Sequence, residues 1–126
     1  MLFRSLCSPT VLEGLAAGPS IEHRWGAKGF ELADRDEVWD LESTYIAKGM
    51  ETYVVCYSPQ IIILGGGVMK QTQLFDQIRQ KTLEYLNGYL VSPELADIGS
   101  YIVEAGCKGD QGVLGCIELG RRALMA

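Results

Sequence analysis

The chain has 126 residues, enough for one domain with a real core and cramped for two independent ones. Its 11 basic and 16 acidic residues leave a net charge of −5, and the basic ones do not cluster, which argues against nucleic acid and anionic membranes as partners. No apolar run approaches the ~20 residues of a spanning helix, and residues 1–6 lack the apolar centre of a signal peptide, so a cytoplasmic location is expected.

Residues 1–11, MLFRSLCSPTV, show no hydrophobic period and end in a turn signal, so a poorly packed, poorly ordered N-terminus is expected there. Across residues 12–25, Leu12, Leu15, Ala16, Ile21 and Trp25 follow a helical spacing that Gly18 and Pro19 cut into two pieces. Pro19 suits the start of the second piece, because the first turn of a helix has no use for its missing amide hydrogen. His23 has no acidic or hydroxyl residue at a diagnostic offset and reads as a surface or hydrogen-bonded histidine. After a loop over 26–36, Asp34 and Glu37 form a capping-box pattern at the head of a helix reaching residue 57. Val38, Leu41, Tyr45, Ile46, Met50, Tyr53, Val54 and Tyr57 recur every three or four residues and predict one continuous apolar face.

Pro59 ends that helix, and the run that follows, Ile61, Ile62, Ile63 and Leu64, predicts a short strand buried on both faces, as in a parallel sheet. Gly65, Gly66 and Gly67 come directly after it. Three glycines in a row expose backbone amides that no side chain shields, so a phosphate, ribose or purine could lie against them; the same stretch would also serve as a plain tight turn. The loop lacks GxxxxGK[ST], and it lacks GxGxxG with an acidic residue at a suitable distance. A P-loop and a standard dinucleotide fold are therefore excluded as readings.

Leu74, Phe75, Ile78, Tyr85, Leu86 and Tyr89 predict a helix over 72–89, and residues 97–104 read as a second strand centred on Tyr101, Ile102 and Val103. A turn at 106–109 leads to a last helix over 110–125 with Val113, Leu114, Ile117 and Leu124 expected inward and Lys108, Arg121 and Arg122 solvated. Cys7, Cys56, Cys107 and Cys116 are scattered without a CxxC pair, which predicts buried free thiols and no metal site. The fold class is thus α/β, with short parallel strands and flanking helices. Two strands are few for such a sheet, since sheets normally have about four to six, and the chain reads as part of something larger.

Four stretches together, LEGLAAGPSIEHRWG, VWDLESTYIAKGM, PQIIILGGGVM and DQGVLGCIELG, resemble the carboxyl-terminal lobe of bacterial fructokinases in the ROK group of sugar kinases and repressors. The resemblance runs over residues 12–126. It implies part of an actin-like ATPase (ribonuclease H-like) fold, with ATP and Mg2+ in a cleft between two lobes and a hexose, usually fructose, phosphorylated on its terminal hydroxyl. It also implies that Gly65, Gly66 and Gly67 lie on the adenosine side of ATP, that Gly18 and Pro19 border the same cleft, and that Glu13 approaches the sugar. A carboxylate there would accept hydrogen bonds from vicinal hydroxyls; the same glutamate would also be at home as a surface residue at a helix start.

The departures from the family pattern are as informative. These fructokinases carry a run like CPYHGDC before LEG that helps bind zinc; Val11 stands where its last cysteine belongs and Cys7 is out of register, so the zinc site is not carried over. The general base is an aspartate of the amino-terminal lobe, which is expected to be absent along with the phosphate-binding loop. The resemblance therefore implies an ATP-binding lobe that is inactive alone. It would work with a missing amino-terminal lobe or associate with itself. The alternative is a non-catalytic remnant or binding module that keeps a weak nucleotide site.

Overall fold

The computed structural model describes residues 11–107 and 110–125; the expectations for residues 1–10, Cys7 and Lys108 lie outside the described residues. The elements in order are α1 (Leu12–Ala16), α2 (Gly18–Trp25), a 3-10 turn (Gly29–Leu32), α3 (Asp36–Tyr57) and β1 (Ile62–Leu64). A second 3-10 turn (Val68–Lys70), α4 (Leu74–Leu86), α5 (Pro93–Ala96), α6 (Ile98–Tyr101), β2 (Ile102–Glu104) and α7 (Gln111–Met125) complete the chain. The fold is helix-rich around a small parallel sheet.

The core forms where α3 meets α4. From α3 it takes Val38, Trp39, Ile46, Met50 and Val54, and from α4 Leu74, Phe75, Ile78 and Leu86, all buried. The apolar spacing predicted this stripe, but Tyr53, Tyr57 and Tyr89 stand exposed, so the buried part of α3 ends at Val54. Two of the polar groups inside are paired locally. The Trp39 indole N–H donates to the Leu32 carbonyl at 2.8 Å and the Thr82 hydroxyl to the Ile78 carbonyl at 2.7 Å. The Lys81 ammonium on α4 reaches the Asp40 carboxylate at 2.7 Å and the Ser43 hydroxyl at 2.9 Å on α3, pinning the pair.

The helix boundaries have local causes. Ala17, extended, separates α1 from α2, and Pro19 sits in the first turn of α2. Helix α3 starts at Asp36, with no side-chain cap. Asp34 does not cap it as the sequence pattern suggested, because Glu37 is held instead by the Arg35 guanidinium. Its end is Ser58, left-handed at φ 43°, after which Pro59 cannot continue the helix.

Strands β1 and β2 pair in parallel, with Ile62 opposite Ile102 and Leu64 opposite Glu104. The parallel arrangement is as predicted, but burial on both faces is not. Ile62 and Leu64 pack on the core while Ile61 and Ile63 are 49% and 61% exposed, because helices cover one side of this sheet only. The second strand is also shorter than expected. The Asp97 carboxylate accepts from the Ser100 amide at 3.4 Å and caps α6, so residues 98–101 turn helically before β2 begins. The Arg79 guanidinium donates to the Ile102 carbonyl at 2.8 and 2.9 Å and fastens β2 to α4.

Helix α7 corrects another expectation. Val113, Leu114, Ile117 and Leu124 face outward at 64%, 47%, 62% and 91% exposure, and none of its residues is buried. Its spacing is right for an amphipathic helix, but no element among the described residues lies against its apolar side. Cys56, Cys107 and Cys116 are exposed free thiols, not buried ones, since each falls on a surface position of its segment.

Candidate functional site

The site is built on the glycine loop. Parallel pairing places the ends of β1 and β2 side by side, and the chain leaves both strands at the same edge, where ligands of α/β units settle. The three glycines serve different ends. A Cβ on Gly65 would stand 2.9 Å from the Gln111 amide nitrogen and 3.1 Å from the Ala105 Cβ, so a side chain there would displace the Gln111 amide. Gly66 has φ +101°, a conformation side-chain-bearing residues rarely adopt. Gly67 has nothing within 4 Å of a Cβ, so its bare backbone faces open space.

Three adjoining depressions surround the loop. One of about 420 Å3 lies at the strand ends, walled by Gly65, Gly66, Gly67, Lys70, Glu104 and Gln111. A second, of about 470 Å3, runs between the loop and the α1–α2 junction, with Glu13, Gly18, Met50 and Tyr53 on its walls. The third, of about 530 Å3, is bounded by Gly18, Pro19, Phe30, Trp39 and Lys70. Gly67 borders all three. Residues far apart in sequence, Glu13, Gly18 and Pro19 on one side and Gly65, Gly66 and Gly67 on the other, thus meet around one turn.

Sequence reasoning missed Lys70, Thr72, Glu104 and Gln111, which line the first depression. Lys70 and Thr72 had a signal, their place just after the glycines. Glu104 and Gln111 had none without the pairing of β2 to β1. Lys70 and Glu104 are exposed and form no ion pair among the described residues, so the depression is lined by one cation and one anion that stand free.

The junction that carries Glu13 and Gly18 is held from behind. Arg24 on α2 donates to the carboxylate of Glu42 on α3 and, at 2.8 Å, to the carbonyl of Leu15 at the end of α1. Its guanidinium also lies 5.1 Å from the centre of the Tyr45 ring. Glu42 is fully buried. Burial pushes its carboxyl up to about 7, against the opposing pull of Arg24 and the indole N–H of Trp25.

Comparison with known proteins gives the chain its relatives. It is 45% identical over 115 residues to a relative from Bacillus subtilis (strain 168), covering 90% of this chain and 38% of that protein. It is 44% identical over 124 residues to a fructokinase of Pediococcus pentosaceus, covering 97% and 42% of the two chains. Against a fructokinase of Streptococcus mutans serotype c (strain ATCC 700610 / UA159) the identity is 41% over 112 residues, 88% of this chain and 37% of the other. The chain thus spans about two fifths of the length of these relatives. Residues 7–123 match the ROK family, and with that match spanning almost the whole chain, the protein belongs to the ROK family.

Proposed function

We propose that this chain is the ATP-binding, carboxyl-terminal lobe of a cytoplasmic fructokinase with the actin-like ATPase architecture. The observation that carries the reading is the convergence of Glu13, Gly18, Pro19 and Gly65 to Gly67 around one loop at the carboxyl ends of two parallel strands. Fructokinase relatives at 44% and 41% identity support the substrate class. In this reading the bare amides of Gly66 and Gly67 lie against the adenosine part of ATP, Gly18 and Pro19 border the cleft, and Lys70 stands ready for a phosphate. Glu13 accepts hydrogen bonds from hexose hydroxyls.

The volumes suit this use, since ligand pockets commonly run to several hundred Å3. Among the described residues no three carboxylate, imidazole or thiol groups form a metal cage. In this reading Mg2+ would come with the nucleotide, and it would neutralise charge on the transferred phosphoryl group. What this chain supplies is binding and orientation of nucleotide and sugar. The base that takes the hexose hydroxyl proton belongs, in this reading, to the part of the relatives that the chain does not span.

The test is a coupled assay with ATP, Mg2+ and fructose, run on the chain alone and with the remaining lobe of the Pediococcus relative added. No turnover alone and recovered turnover on complementation are expected. Turnover of the chain alone at an ordinary kinase rate, roughly 1 to 100 per second, would overturn the assignment of catalysis to the other lobe. Nucleotide binding without recovered turnover would favour a non-catalytic binding module.

A further inference from the structure

Gln111 opens α7 and closes the cleft at the strand ends. Its amide nitrogen occupies the space that a side chain at position 65 would need, 2.9 Å from a Cβ built there. Its amide oxygen is buried and has no hydrogen-bond partner. A buried acceptor left unpaired is costly, and a long side chain at a helix start has solvent close by as an alternative. The side chain lies beside Gly65 on the wall of the cleft and is only partly buried. An unpaired acceptor on a residue that walls a cleft is the arrangement expected of a group that waits for a donor.

We propose that Gln111 is a specificity-determining residue of the nucleotide site, its amide oxygen accepting a hydrogen bond from the nucleoside moiety. The donor is an N–H or O–H of the nucleoside, either the exocyclic amine of adenine or the ribose 2′-hydroxyl. This rests on the nucleotide reading above and adds the group that selects the nucleoside. Gly65 acquires a separate role: it makes room for Gln111, while Gly66 and Gly67 offer the bare backbone.

The experiment is calorimetric titration of the full chain with ATP, ITP and 2′-deoxy-ATP, for the parent, Gln111→Leu and Gly65→Ala. Loss of one neutral hydrogen bond should weaken ATP binding about three- to tenfold in Gln111→Leu. If the adenine amine is the donor, the parent binds ITP more weakly than ATP by the same factor and Gln111→Leu no longer distinguishes them. If the ribose 2′-hydroxyl is the donor, 2′-deoxy-ATP shows that pattern instead. Gly65→Ala, which displaces the amide without removing it, should shift the same preference. Circular dichroism checks that both variants keep the parent helix content. Equal ATP affinity in parent and Gln111→Leu overturns the role of Gln111 alone, as does a parent that binds ITP and 2′-deoxy-ATP as tightly as ATP. Failure of the parent to bind any of the three overturns the nucleotide reading as well.

Discussion

Glu42 is buried in a helix-rich core with Arg24 as its cationic partner, and the two together fix the end of α1 through the Leu15 carbonyl. Burial outweighs the arginine, so the carboxyl titrates at about 7 in place of 4.5. A carboxyl raised in the folded state binds its proton more tightly there than in the unfolded chain. Its contribution is therefore full below pH 4.5 and is lost as pH rises through 7. Stability should fall by up to about 3 kcal/mol across that window from this group. In Glu42→Gln the slope between pH 4.5 and 7 should flatten, as read by urea denaturation at a series of pH values; an unchanged slope would assign the pH dependence elsewhere. Gly66 makes a different kind of demand. With φ +101° and no atom within 4 Å of a Cβ, Gly66→Val meets backbone strain and no clash. A cost of about 1 to 3 kcal/mol in thermal unfolding is expected, with nucleotide binding lost.

Among the elements, the α3–α4 pair carries the fold and β1 does not. Ile78 is fully buried between the helices, so Ile78→Ala should cost about 2 to 5 kcal/mol in chemical denaturation. Ile63 sits on the open face of the sheet, and Ile63→Lys should change stability by no more than about 0.5 kcal/mol. Similar losses for the two would mean that the sheet is covered on both sides in solution. On α7, Arg121 and Arg122 both pair with Glu118, at 2.7 and 2.8 Å. Hydrogen bonds from Arg121 and then Arg122 hold the Glu118 carboxyl down at about 2. A lowered carboxyl supports the folded state above pH 4.5 and loses that support as pH falls through 2.

For the whole molecule, the uncovered apolar side of α7 and the outer face of β1 form the largest unresolved demand for burial. Val113, Ile117 and Leu124 lie on the first, Ile61 and Ile63 on the second. In the proposed kinase this surface is where further chain would pack. In the isolated chain it should drive association with a second copy, since exposed apolar patches of this kind seldom stay in water. Sedimentation should show dimers or larger species, shifted toward monomer by the double substitution Val113→Ser and Ile117→Ser. A monodisperse parent monomer at high concentration would contradict this.

Periodicity by itself was enough to place α3, α4 and β1 and to expect a break between α1 and α2, which falls at Ala17 just before Gly18 and Pro19, because the three- and four-residue steps, the β-branched run and proline's missing amide act within the segment. The four family stretches also led, from the sequence alone, to the ROK family that the comparisons show. Tertiary structure decided the rest. A local apolar pattern states which side chains avoid water and is silent on whether a partner surface exists, so Ile61, Ile63 and the apolar side of α7 read as buried and stand exposed. The seat of Gln111 against Gly65 and the meeting of Glu104 with the glycine loop depend on β2 pairing with β1 across 40 residues, from Ile62 to Ile102. No short-range signal encodes such a contact, because it is selected by the packing of α3, α4 and the strands together, not by any one segment.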